Sequence, residues 1–164
     1  MSKEEMREIG IASRENLNSI IEYARRLHGH LGPFLVLGIK MSLAGMNRLG
    51  IENMRSMRVE VELPCRVPYT CTLDGIQATT QCTFGNQKLT LKKANSLSIS
   101  AKFSLNNPKK QVIISLKNEI LKDLMEKLKK TKEDEATQEK LAWMIAFTPE
   151  DKLFSIEVNN YFTK

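Results

Sequence analysis

Both histidines of this 164-residue chain fall in one tripeptide, His28-Gly29-His30. Imidazole is the commonest metal ligand among side chains and titrates near neutral pH. Residues two apart on a continuous helix diverge. A break with a glycine between the two rings lets both converge on one point. Spacing alone therefore leaves two readings, a metal site and a loop histidine pair without a ligand. A second group runs from Cys71 to Cys82. A helix starting near Thr72 places Asp74, Gln77, Ala78 and Gln81 on one face. Cys71 then stands at the helix N-terminus, where the dipole and unpaired N–H groups favour a thiolate, the form that binds metal or attacks an electrophile. A carboxylate one turn on can ligate, accept a proton or orient an imidazole. The plainer alternative makes Cys71 and Cys82 packing residues and Asp74 a favourable first-turn acid.

These residues need elements to hold them. Ser2 and Glu5 have capping-box spacing. Leu17, Ile20, Ile21, Ala24 and Leu27 recur at helical spacing, which predicts an amphipathic helix ending near Leu27. Pro33 suits the first turn of a second helix, since its missing N–H would be unpaired there anyway, and Gly50 suits its end. Gly38, Ala44 and Gly45 lie inside that helix, where glycine costs helix propensity, so close approach of a neighbour is expected. Val59, Val61 and Leu63 alternate with charged residues, as a half-buried strand does. Lys88 to Lys92 predicts another strand. Alternation from Leu97 to Leu105, the Asn106-Asn107-Pro108 turn and the run Val112, Ile114, Leu116 predict a strand pair. Ile120, Leu121, Leu124, Met125 and Leu128 form a helical stripe. A charged bend over 131–135 leads to a helix burying Leu141, Ala142 and Ile145 and ending at Thr148-Pro149. Phe154, Ile156 and Val158 predict an edge strand. The expected class is α+β, an antiparallel sheet packed with helices in one domain spanning 1–164. Its motif-bearing core covers about 15–120, and helices with an edge strand fill 117–164.

Composition excludes several classes. Hydrophobic residues at 41% and charged residues at 27% describe a globular chain and not a disordered one. The longest apolar run, Phe34 to Met46, contains Lys40 and falls short of the roughly 20 residues of a membrane span. The N-terminus opens Ser2-Lys3-Glu4-Glu5 with no apolar leader, so a cytoplasmic location is expected. The formal charge of +6 is spread along the chain and interleaved with acids, as in Asp123 and Lys127. Nucleic acid and membrane are therefore not expected partners. Three cysteines without a Cys-x-x-Cys pair encode neither a disulfide framework nor a zinc ribbon.

The order His28-Gly29-His30-Leu31-Gly32-Pro33-Phe34, an apolar helix containing Gly38, Cys71-Thr72-Leu73-Asp74-Gly75-Ile76-Gln77 and Gln81-Cys82-Thr83-Phe84-Gly85-Asn86 resembles the family of proteins like the E-subunit of formylmethanofuran dehydrogenase. The resemblance covers roughly residues 15 to 120. It implies an α+β core that forms homodimers and binds a metal, with zinc (Zn2+) expected among the divalent transition metals. His28, His30 and Cys71 match the ligand positions. Asp74, Gln77 and Cys82 match the polar positions around them, which makes Asp74 and Cys82 the candidate catalytic groups. Cys65 and Cys82 are alternative sulfur donors. A set of two histidines and one cysteine leaves a fourth position open, as catalytic zinc sites do. Two positions depart from the family pattern, because Gly32 and Phe34 stand where many members have cysteine and glycine. No cysteine follows Cys82, so the zinc finger that some members carry is not expected. Two functions follow as expectations. One is metal-assisted chemistry on a small molecule. The other is a non-catalytic accessory or binding component of a larger enzyme.

Overall fold

A computed structural model describes residues 14–50, 55–107, 109–131 and 134–160. The Ser2–Glu5 capping box lies outside them. The first helix, α1 (Arg14–His28), buries Ile21 and Ala24 and turns its charged side to solvent. The second, α2 (Pro33–Leu49), begins at Pro33 and ends where the Gly50 N–H bonds to Met46 O at 3.0 Å. Of its 17 residues, 13 are buried, because neighbours cover it on both sides. It lies between the helices α3 (Cys71–Thr80) and α5 (Glu135–Phe147) and the strands β3 (Ser100–Asn106) and β4 (Lys109–Leu116).

The other elements are β1 (Arg58–Leu63), β2 (Leu89–Lys93), α4 (Asn118–Lys130), α6 (Glu150–Leu153) and β5 (Phe154–Asn160). The sheet runs in the order β2-β1-β3-β4-β5. The face toward α2 carries Val59, Val61, Ala101, Phe103, Val112 and Ile114, all buried. The opposite face is polar. There Glu60 lies opposite Lys102 in the register and binds it at 3.0 Å and Lys92 at 3.1 Å. The hydrogen bond from Lys102 is the main reason that the Glu60 carboxyl titrates below its usual range. The class is α+β, and the sheet is mostly antiparallel.

Three features differ from the sequence expectation. First, the sheet is mixed, with β1 and β2 pairing in parallel from Val59↔Leu89 to Leu63↔Lys93. The chain crosses between them through α3, and such a crossover returns parallel where a tight hairpin would not. Secondly, β3 starts at Ser100, three residues later than the alternation from Leu97 predicts. Ser98 N–H bonds back to Ser96 O at 3.0 Å, which spends that stretch on a turn and leaves Leu97 exposed. Thirdly, the short α6 separates α5 from β5, and an ion pair between Arg48 and Glu150 ties it to α2. The predicted edge strand is present as β5.

Small residues set how closely the layers approach. A Cβ built on Gly38 would lie 2.1 Å from Thr72 O, and one on Gly75 would lie 2.1 Å from Leu35 O. The helices α2 and α3 thus cross backbone to backbone, each glycine Cα facing a carbonyl of the other helix, a contact of the weak Cα–H···O type. On the sheet side, a Cβ on Gly45 would enter the Phe103 ring, 2.5 Å from Cδ2. The close approach expected of Gly38 and Gly45 is what the packing contains.

Candidate functional site

His28 is the last residue of α1. The next residue, Gly29, has φ +96°, a left-handed conformation that side chains with a Cβ avoid, and its N–H closes the helix on Arg25 O at 2.8 Å. The chain then reverses, and buried Leu31 and Pro33 seat the start of α2. The reversal brings the two imidazoles together, with ring centroids 4.6 Å apart and planes tilted by 40°.

Across from them stands α3, held by the glycine crossing. Its first turn presents Asp74, whose Oδ2 lies 2.7 Å from His28 Nδ1. A carboxylate only accepts, so Nδ1 carries a proton, and whenever the ring is neutral Nε2 has a lone pair. Asp74 Oδ1 accepts from Gln77 Nε2 at 3.2 Å, and Gln77 Oε1 accepts from the Phe84 N–H at 3.3 Å. A chain of hydrogen bonds therefore runs from the loop after α3 to the imidazole and fixes its rotation. The other end of that imidazole is different. His28 Nε2 is buried and has no hydrogen-bond partner among the described residues. Orphaned buried polar atoms are uncommon, and each calls for a physical reason.

His28, His30 and Cys71 line one cavity of about 290 Å³, together with Phe34, Leu128 and Gln138. Burial lowers the His30 pKa from its ordinary value, the charge of His28 lowers it further, and Glu135 opposes both. Cys71 departs from the sequence expectation of a stabilised thiolate, because its pKa is raised, first by burial and then by the charge of Asp74. The chain before α3 is already turned, and the N–H groups of Cys71, Thr72 and Leu73 bond to Pro68 O, Tyr69 O and Thr70 O. The Cys71 N–H still acts to lower the thiol pKa, and burial together with the charge of Asp74 outweighs it.

The other two cysteines lie elsewhere. Cys82 is in the core, with its thiol donating to Met57 O at 3.3 Å, and burial raises its pKa. Cys65 is exposed and lines a different cavity. Among the described residues, no three His, Cys, Asp or Glu side chains enclose an ion as they lie. The donor types still suit one: an imidazole with a buried, unpartnered nitrogen, a second imidazole and a thiol, from three residues that line one cavity.

The sequence reading did not name Gln138, which α5 delivers to this cavity. A signal for it existed. Gln138 stands three and four residues before Leu141 and Ala142, so it is a polar side chain on a buried stripe. It also faces the place left by Gly32. A Cβ at position 32 would sit 3.6 Å from His30 Nε2 and 3.7 Å from Gln138 Oε1.

Residues 27–155 match the family described as FmdE, molybdenum formylmethanofuran dehydrogenase operon. A protein of Archaeoglobus fulgidus named "Probable S-adenosyl-L-methionine-binding protein" is 35% identical over 77 residues, which is 46% of this chain and 21% of that relative. The chain thus matches only about a fifth of that relative's length. The crystal structure of an FmdE-like protein of the tungsten formylmethanofuran dehydrogenase type, from Syntrophus aciditrophicus, superposes with a TM-score of 0.57 at 16% identity, covering 89% of this chain and 73% of that one. At that identity the superposition speaks for the fold alone.

Proposed function

Because this chain belongs to the FmdE family, we propose that it binds one zinc-type ion at the cavity between α1 and α3 and uses it on a small molecule. The observation that carries this reading is His28 Nε2, buried and unpartnered among the described residues while Nδ1 is held by Asp74. An imidazole that donates from one nitrogen to a carboxylate and offers a lone pair at the other is the usual arrangement of a metal-ligating histidine. His30 and Cys71 supply the further donors from the same cavity wall. The raised pKa of Cys71 means that its proton must leave when the thiol ligates, and Asp74 is the nearby carboxylate. A bound ion would supply Lewis-acid polarisation of a carbonyl or of water. The chain's own contribution is to hold His28 at one angle, to wall the cavity with Phe34 and Leu128, and to offer the Gln138 amide as a hydrogen-bonding group. Homodimerisation belongs to the same proposal, and light scattering on the purified chain tests it.

Metal analysis of protein purified without chelators tests the centre. About one zinc-type ion per chain is expected, falling in Cys71→Ala. Wild-type protein free of stoichiometric metal defeats the reading.

The Archaeoglobus relative supports a second reading, a ligand-binding component without chemistry of its own whose ligand is S-adenosyl-L-methionine. The cavity of about 290 Å³ lies at the small end of the roughly 300–1,000 Å³ usual for ligand pockets, which favours a smaller molecule. Equilibrium dialysis with S-adenosyl-L-methionine separates the two. Saturable binding to metal-free protein supports the second reading.

A further inference from the structure

A second cavity, of about 420 Å³, opens at the other end of the loop that leads to Cys71. Its position follows from the one parallel pair of the sheet. Strand β1 ends at Leu63 and β2 at Lys93, paired with each other, and the Ala94 N–H bonds to Leu63 O at 3.0 Å. The carboxyl ends of both strands therefore leave the sheet together, and the segments beyond them form the cavity wall. Open parallel α/β sheets also bind ligands beyond the carboxyl ends of their strands, in the crevice at a topological switch point.

The wall has one sign of charge. Arg66 and Lys93 line it, and among the described residues no aspartate or glutamate does. Among the described residues neither cation is paired with a carboxylate, whereas the adjacent Lys92 is held by Glu60. The guanidinium of Arg66 lies over the ring of buried Tyr69, with Cζ 5.3 Å from the centroid. That cation–π contact tethers the guanidinium to the ring without using its N–H donors. Asn95 and Ser96 add neutral donors on the wall formed after β2.

We propose that this cavity binds the phosphate of a small organic phosphate monoester, with Arg66 and Lys93 as its two cationic partners. Two uncompensated cations match a dianion, the guanidinium as a fork and the ammonium as a point charge. The cavity is larger than a single phosphate ion fills, so the ligand carries an organic remainder. This site is independent of the metal centre, since the two cavities share no lining residue.

Cys65 lies in the wall and is exposed, so its alkylation reports occupancy. The test uses phenyl phosphate as probe and iodoacetamide as reagent, at constant ionic strength. The rate at Cys65 is read on its peptide by mass spectrometry. Phenyl phosphate is expected to slow Cys65 alkylation saturably, and benzoate at the same concentrations is not. Arg66→Gln and Lys93→Gln should each weaken protection roughly tenfold, the usual scale for losing one charge-assisted hydrogen bond. Both positions are exposed, and an unchanged circular dichroism spectrum confirms folding of the variants. Equal protection by benzoate, or full protection by phenyl phosphate in both variants, overturns the proposal.

Discussion

Gly38→Ala is expected to lower the thermal unfolding midpoint by roughly 6–12 °C, the shift that about 3 kcal/mol produces in a chain of this size. The methyl would enter at 2.1 Å from Thr72 O, with Thr72 C at 3.0 Å and Ile76 N at 3.1 Å. These neighbours are backbone atoms of α3, and no rotamer change removes them. The helices must separate, and the buried side chains between α2 and α3 lose contact. Gly75→Ala meets the mirror obstacle, Leu35 O at 2.1 Å, and should cost as much. Gly85→Ala is the control, since its Cβ would meet only Thr83 Oγ1 at 3.7 Å. Differential scanning calorimetry measures all three. A Gly38→Ala protein melting with the wild type would mean that α2 and α3 do not cross as described. The site should suffer as well, because Asp74 rides on α3 and His28 on α1, so spreading the helices lengthens the 2.7 Å bond between them.

His28→Ala is expected to abolish metal binding, and Asp74→Asn to weaken it by roughly 10–100-fold, the usual cost of removing a carboxylate that orients a ligating histidine. The two substitutions differ in kind. The first removes the imidazole nitrogen that is buried and, among the described residues, without a partner. The second keeps the shape of the side chain but offers an amide in place of a carboxylate. An Asn amide can turn its N–H toward Nδ1, which moves the ring proton to Nε2 and blocks the lone pair. Competition against a zinc chelator gives both affinities. Equal metal affinity in His28→Ala and the wild type would place the centre elsewhere. An Asp74→Asn protein as poor as His28→Ala would make Asp74 a ligand itself.

Much of the fold can be read locally, and the reasons are specific. Pro33 and Gly50 mark the ends of α2 because a residue without an N–H and a residue without a Cβ suit opposite ends of a helix. The strands β1 and β4 follow from period-two alternation. What escapes is whatever depends on partners distant in sequence. Nothing in the segment Leu89–Lys93 says that it pairs in parallel with β1, since that comes from the α3 crossover. The Ser96–Ser98 turn beats an alternation pattern that suited a strand equally well. At the site, the convergence of the two rings follows from Gly29, and Asp74 follows from helical spacing. The raised pKa of Cys71 does not, because it depends on how far the folded chain buries the thiol and on the charge of Asp74 beside it. Nor could spacing choose among the three cysteines. Only the folded chain puts Cys71 with the histidines, Cys82 in the core and Cys65 in the wall of a separate cavity.

Helix α2 is covered by helices on one side and strands on the other, and 13 of its 17 residues are buried. Its amide protons should exchange with deuterium only when the whole molecule unfolds, unlike those of a helix with a solvated face. Anything that binds the native chain alone slows that exchange by the factor 1 + L/Kd, where L is the free ligand concentration. The interior helix is thus a clock on which the tightness of an unidentified small molecule can be timed before its chemistry is known.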